Sequence, residues 1–545
     1  MTRTPLTPTN AAARTPRMRA ALRFAAPLAV PFAAALLAGS ASAAIFSFNP
    51  APDPAGKTVT AAVADGFTTL DPYNATDKLS RQVMKAFYEG FFRLNARMEV
   101  VPALALSADV SADGLTWTLR LREGVRFADG TPFDAAAAKA NIDHLTRDAT
   151  RLGRSGMFAV IERAEATGPH ELTLRLKEPL GALKRRMAGG ILSMVCPAAL
   201  QSKDASLAMK PCGTGPYALK EYKPAELLHV VRREGYWAPE RQKLAGIRFV
   251  PVPENHARAA MLKTGEADWA MPVPYESAAE IRADGRLVLS DRPSTVMRFI
   301  AMNTTKAPWS DPRVREAMTL ALSQEALIKA AYRGFARPAA GVIPPGIPNA
   351  LLTGRTTPDP ERAKALLKEA GFAHGFETNL WCAYQDSASQ KAVGVVQQQL
   401  AAVGIRAKIR ILEAGERVAR VHGARAQAQK NLELYYTGWS ASSDADWSLR
   451  PLYYSKSAPP VLFNTAFYSN PHVDELMDAA AKETDEAKAR RLYAEVQETI
   501  RRDAPYVWCV FEDSVAGWNR SLTGFVNLPD GGFDFTDAEW RPVEK

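Results

Sequence analysis

The chain has 545 residues, of which 47% are apolar and 23% charged, which argues against intrinsic disorder, a collagen-like fold and a polytopic membrane protein. At roughly 150 residues per domain this length corresponds to three or four units that can bury a large core. The 68 Lys and Arg outweigh 58 Asp and Glu, for a formal net charge of +10, which alone points to an acidic partner such as nucleic acid or anionic lipid.

The placement of that charge changes the inference. Arg3, Arg14, Arg17, Arg19 and Arg23 stand among the first 43 residues with no Asp or Glu, followed by an apolar run from Phe24 to Leu37 and by Ala41-Ser42-Ala43 before Ala44. A basic start, an apolar stretch too short to cross about 30 Å of hydrocarbon and a small-x-small site predict a secretory signal peptide over 1–43, cleaved on export. There is no twin arginine, and no Cys near the cleavage site to carry a lipid anchor. Half of the net charge leaves with this segment. The remaining cations are interspersed with acids, so nucleic acid is not an expected partner. Export also admits disulfides. Cys196 and Cys212, 16 apart across a polar loop, are the favoured pair, though spacing alone does not fix connectivity. Cys382 and Cys509 each lie in an apolar strand-like run, where buried free thiols are at least as well favoured as a pairing.

From Lys57 to about Leu176 the pattern is strand-rich. Turn signals at Asp113-Gly114 and Asp129-Gly130 flank the alternating Leu115, Trp117, Leu119 and Leu121, and Leu172, Leu174 and Leu176 repeat the period of two. Ile247 and Phe249 open another strand, ahead of a helix capped by Asn255 and ended by Gly265. Ser310-Asp311-Pro312 starts a helix with an apolar face of Val314, Ala317, Met318, Ala321 and Leu322; Asp359-Pro360 starts another that stops at Gly371. An apolar run at Leu380 to Tyr384, a helix from about Ser387 to Val403 and a strand from Ile405 to Leu412 form a βαβ unit. The helix around Leu492, Val496 and Ile500 leads into a strand, Tyr506 to Phe511. The predicted class is α/β with mixed sheets. No apolar run of about 18 residues follows the signal peptide.

Motifs for catalysis are missing. The seven His residues form neither HxxxH nor HExxH, and there is no CxxC, GxSxG, P-loop or GxGxxG after a strand. Gly213-Thr214-Gly215 continues into Pro216 and reads as a tight turn. Asp444 and Asp446 are a carboxylate pair with no nucleophile beside them. Neither an enzyme, a metal site nor a cofactor is expected.

A set of strings occurs in order along the chain: Leu70-Asp71-Pro72, Val110-Ser111-Ala112-Asp113-Gly114, the run Leu121 to Phe127, Gly213-Thr214-Gly215-Pro216-Tyr217, Tyr236-Trp237, Met302-Asn303-Thr304 and Asp311-Pro312-Arg313-Val314-Arg315. Through them the chain resembles the extracytoplasmic solute-binding proteins of peptide-type ABC importers (bacterial family 5). Ala259 to Trp269, Pro272 to Tyr275, Asp444-Ala445-Asp446-Trp447, Leu449-Arg450-Pro451-Leu452, Phe463 to Tyr468 and Leu522 to Phe525 look most like the glutathione-binding branch. The resemblance implies a two-lobe fold with two hinge crossings and an extra β-rich subdomain on the first lobe. The first lobe is expected at 44–294 and 506–545, with the subdomain at about 80–207, and the second at 295–505, with hinges near Arg298 and Tyr506. It further implies a monomeric periplasmic receptor that closes on a small peptide and delivers it to an inner-membrane permease served by ATPase subunits.

Glutathione carries two carboxylates, an ammonium and a thiol, so its site needs Arg and at least one acid. In peptide-binding relatives an acidic residue shortly after a Gly-Trp pair grips the ligand amine. Here Gly438-Trp439 is followed by Ser442 at that position, which moves the amine partner to Asp444 or Asp446. For each Asp, a loop-capping hydrogen bond is the competing role. Arg450 is the first choice for a ligand carboxylate, with a structural ion pair to Asp446, four residues earlier, equally open. Arg417 and Arg298 are further candidates. Trp439 and Tyr217 are candidate aromatic walls, and Thr69 and Tyr73 candidate contacts from the opposite lobe. A dipeptide or oligopeptide receptor, a nickel-chelate receptor and an exported peptidase are the competing readings.

Overall fold

The computed structural model describes residues 56–542 apart from 76, 148–154, 202–204, 422–431 and 441–443. These belong to the compact unit Pro52–Lys545. The signal peptide expected at 1–43 lies outside the described residues, as does Ser442.

An eleven-stranded mixed sheet runs through the molecule. Its order is Ile405–Ile411, Phe376–Cys382, Leu434–Ser440, Leu287–Met302, Tyr506–Asn519, Trp269–Met271, Thr58–Val63, Gly246–Pro251, Leu227–Arg232 and Tyr217–Lys223, with Ala336–Pro338 added to the strand Tyr506–Asn519. Thr58–Val63 pairs in parallel with strands on both sides. So does Phe376–Cys382, whose helix Ser387–Ala402 returns the chain to Ile405–Ile411 as the expected βαβ unit.

The two longest strands, Leu287–Met302 and Tyr506–Asn519, pair antiparallel from Leu287–Asn519 to Ala301–Tyr506. One end of this ribbon belongs to the first lobe, where Leu287 and Val515 pack with Ala62 and Ile281. The other end belongs to the second, where Met297, Phe299, Tyr506 and Phe511 pack with Leu449 and Val496. Tyr506 is fully buried and stacks on Phe299 at 4.4 Å between ring centroids. The second strand therefore runs eight residues past the expected Phe511.

The β-rich subdomain is a four-stranded antiparallel sheet in the order Ala105–Val110, Thr116–Leu121, Glu171–Leu176, Ile161–Gly168. Trp117, Leu119, Leu121, Leu172, Leu174 and Leu176 are all buried, as their alternation requires. Helix starts follow the expected chemistry. Asp311 accepts from Arg313 N ahead of Pro312–Ala321, and Asp359 accepts from Arg362 N ahead of Pro360–Glu369. One cap differs from expectation: Asn255 is the first helical residue, and the preceding Glu254 accepts from His256 N and Ala257 N. No helix among the described residues is long and apolar enough to cross a membrane.

Cys196 and Cys212 form a disulfide with 5.5 Å between Cα atoms, closing the segment between them. Cys382 and Cys509 are free and buried.

Candidate functional site

A cavity of about 270 Å³ opens between the two lobes. Its first-lobe wall is laid down by the helix Lys78–Val83 and the segment that follows it. Asp77 caps this helix by accepting from Ser80 N. With the helix so started, Lys78 and Arg81 stand one turn apart, and Lys85 follows on the continuing turn Met84–Ala86. All three line the cavity, together with Arg93. None of these four cations has an ion-pair partner among the described residues. The second lobe contributes Trp439 and Ser440 at the end of the strand Leu434–Ser440. The C-terminal segment adds Leu528, Asp530, Asp534 and Thr536.

Three buried donors face this cavity without a hydrogen bond among the described residues: Arg81 Nε on the first-lobe wall, the indole Nε1 of Trp439 on the second, and Arg186 Nε, which lies 3.5 Å from Asp444. Each is an obligate donor that an acceptor in the cavity, whether water or a ligand oxygen, would satisfy. The cations carry the same message. Burial holds the Lys78 ammonium below the usual lysine range, with Asp530 opposing the shift and Arg81 and Lys85 adding to it. Burial likewise lowers Arg81. Gly531 (φ 71°) lets the chain pass close to Lys78: a Cβ there would stand 2.5 Å from Nζ. Glu89, also on the wall, is already engaged by Tyr236 Oη and Trp237 Nε1, each donating at 2.9 Å, and burial raises its carboxyl above the ordinary value.

Of the ten residues singled out from sequence, Trp439 alone lines this cavity; Ser442 is outside the described residues. The others sit elsewhere for identifiable reasons. Tyr73 is buried in the first lobe, its hydroxyl donating to Asn141 Oδ1 and the Ser193 carbonyl. Tyr217 is buried with its hydroxyl on the Phe535 carbonyl. Thr69 accepts from Asp71 N in a local turn. Arg417 donates to the Ala383 carbonyl. Arg298 is held by Glu512 through two bonds and lies over the Tyr384 ring at 4.1 Å.

The Asp444–Arg450 constellation forms an ion-pair network of its own. Asp444 caps the helix Ala445–Tyr453 by accepting from Trp447 N. Asp446 accepts from Arg450 Nε at 2.8 Å and from Arg186 Nη2 at 2.9 Å. Arg450 spends its remaining donors on Asp478 and the Met477 carbonyl. These charges pair with one another, buried at Arg186, Asp444 and Asp446 and half-exposed at Asp478, and the ion pair at i,i+4 is among them. The cations that do line the cavity carried one legible signal, the spacing of Lys78, Arg81 and Lys85 on one helical stripe. Arg93 and Arg186 carried none.

A mixed sheet shared by two lobes, a β-rich subdomain and a charged cavity between the lobes define a solute-binding receptor. The chain belongs to the bacterial extracellular solute-binding proteins, family 5, whose middle region matches residues 99–460. It is 44% identical over 486 residues to the glutathione-binding protein GsiB of Escherichia coli K12, covering 89% of this chain and 95% of that one. GsiB of Shigella flexneri is 43% identical over the same shares. Among solved structures, the periplasmic binding protein DppA of Helicobacter pylori in complex with the peptide STSA superposes with a TM-score of 0.76 at 25% identity, over 89% of this chain and 98% of that one. CtaP of Listeria monocytogenes superposes with a TM-score of 0.81 at 21% identity, over 89% and 100%, and attests the fold. The relatives are solute-binding proteins, not enzymes.

Proposed function

We propose that this chain is the periplasmic receptor of an ABC importer that captures glutathione or a related γ-glutamyl peptide between its lobes and hands it to an inner-membrane permease. The observation that carries the reading is the pair of orphaned donors, Arg81 Nε and Trp439 Nε1, on opposite walls of one cavity that also holds four cations without ion-pair partners. Glutathione supplies two carboxylates and two peptide carbonyls to such a wall, whereas an ordinary dipeptide supplies one of each. The relatives named for glutathione support the same ligand. In this reading Lys78, Arg81, Lys85 and Arg93 take the carboxylates. The amine goes to Asp530 or Asp534, which line the cavity and whose carboxylates accept, among the described residues, local backbone bonds from Gly532 N and Thr536 N.

The chain is then a monomer, exported with loss of residues 1–43 and without a lipid anchor, and its permease is driven by separate ATPase subunits. The lobes divide where the paired strands lose register, between Pro293 and Met297 and opposite Asp513 and Phe511. A ligand touching both lobes favours closure by its differential contacts.

Calorimetry with reduced glutathione, oxidised glutathione and a panel of dipeptides tests the reading. Tight binding of a glutathione form that weakens at least about tenfold in Arg81→Gln, as loss of a charge-assisted bond requires, supports it. Equal affinity for all ligands, or none for glutathione, overturns it.

A further inference from the structure

Arg186 belongs to the first lobe: it lies in the short helix Leu183–Met187, whose Leu183 and Met187 are buried in that lobe's core. Its guanidinium is 9% exposed and reaches the second lobe, donating from Nη2 to Asp446 at 2.9 Å and lying 3.5 Å from Asp444 through Nε. Nη1 donates to the Met157 carbonyl on its own lobe at 3.3 Å. The same residue lines the ligand cavity, whereas Asp444 and Asp446 do not. One buried side chain thus forms both a wall of the site and a bridge between the lobes.

Other contacts cross nearby. Gly181 N donates to the Ala481 carbonyl, Lys482 pairs with Glu178, and Trp447 packs on the first-lobe core. The Lys482–Glu178 pair is more than half exposed on both sides and contributes little. Arg186 and Asp446 differ because both are buried. Opening the lobes would strip the Arg186 guanidinium of both carboxylates, while Asp446 would keep Arg450 alone.

Resting on the receptor reading above, we infer that Arg186 is the residue that couples ligand capture to lobe closure, with Asp446 and Asp444 as its latch on the second lobe. It is a positioning residue that fixes how long the closed complex lasts. Encounter takes place with the lobes apart and leaves the latch unused, so the association rate is insensitive to it. Dissociation must break it.

The test is stopped-flow binding of reduced glutathione to the full mature chain, with Arg186→Gln, Asp446→Asn, the double variant and Asp478→Asn. The last removes a partner of Arg450 that does not touch Arg186. Each single latch variant is expected to raise the dissociation rate about tenfold or more with the association rate held within about threefold. The double variant should add no more than about twofold to the larger single effect, because both remove the Arg186–Asp446 contact. Asp478→Asn should release ligand at the wild-type rate. Hydrogen exchange at the Gly181 amide, bonded across the lobes, should speed up in the latch variants and not in Asp478→Asn. Wild-type release from Arg186→Gln, additive effects in the double variant, or equal effects of Asp478→Asn and Asp446→Asn would overturn the latch while leaving the receptor reading intact. A wild-type chain that binds no glutathione would overturn the receptor reading instead, and the exchange comparison at Gly181 would still decide the latch.

Discussion

Arg298 and Glu512 face each other across the two long strands in a two-point ion pair, Nε to Oε1 at 2.7 Å and Nη2 to Oε2 at 3.2 Å, beside the place where the strands lose register. Both side chains are only 15% exposed, so water competes weakly for either charge. Gly438 lies opposite Arg298 in the neighbouring strand, and a Cβ on it would stand 2.8 Å from the Met297 carbonyl and 3.0 Å from the guanidinium. The glycine of the Gly438-Trp439 pair is therefore what makes room for the arginine.

Removing one side of this pair leaves the other buried and uncompensated, so Glu512→Gln is expected to cost about 3 kcal/mol. Gly438→Ala, which displaces the guanidinium without deleting it, should destabilise in the same direction by less. Urea unfolding midpoints check both. A Glu512→Gln protein as stable as wild type would mean that water or Tyr384 already satisfies Arg298.

Arg450 offers a sharper contrast between stability and binding. Its guanidinium is committed to Asp446, Asp478 and the Met477 carbonyl, and it lies over the Tyr454 ring at 4.6 Å. Arg450→Ala should therefore lower stability by about 2 kcal/mol, through lost packing and an exposed imbalance among carboxylates. Asp446 keeps Arg186, so affinity should change by no more than about threefold, a shift of about 0.7 kcal/mol. Paired melting and calorimetry would reveal the reverse pattern if Arg450 held ligand after all.

Those two arginines also show what a sequence can disclose. Alternation at Trp117, Leu119 and Leu121, the Asp-Pro starts of two helices and the βαβ order were readable because each is a local rule, obeyed within a few residues. Arg450 beside Asp446 was readable too, but only as two open roles, since spacing gives a possible pair without saying whether a ligand competes for it. Arg186 was invisible. Its partners lie 258 and 260 residues on in the chain, and only the folding of two lobes against each other brings them within bonding distance. The cavity's cations fall between these cases, for Lys78, Arg81 and Lys85 share a helical stripe, yet such stripes are ordinarily solvated.

The cysteines give a chemical readout of burial. Cys382 is 0% and Cys509 2% exposed, and burial pushes the Cys509 thiol up to about 12 and raises Cys382 as well. Since the thiolate is the reactive form, an aromatic disulfide reagent should label no thiol in the native protein, two after unfolding and four after unfolding with reductant. Replacing Cys196 and Cys212 by Ser should cost about 3 kcal/mol, the constraint expected for a loop of about this length. Two thiols titrating in the native state would contradict the burial of Cys382 and Cys509.

The cavity predicts a pH dependence through Lys78. Its folded-state value lies below the ordinary lysine range, chiefly because burial disfavours the ammonium, and a ligand carboxylate would favour it. The sign follows: the bound form holds its proton to higher pH than the free form. Affinity is therefore constant while both forms are protonated, and weakens as pH rises through the lowered free-state value toward about 10.4. Glutathione's own amine and thiol titrate in the same region, so the absolute curve is ambiguous, whereas Lys78→Arg keeps its charge throughout. The ratio of wild-type to Lys78→Arg dissociation constants should be flat near neutrality and climb at alkaline pH, with the ligand's titrations cancelling. A ratio that stays level to about pH 10 would place the ligand carboxylates away from Lys78 and leave Arg81, Lys85 and Arg93 to hold them.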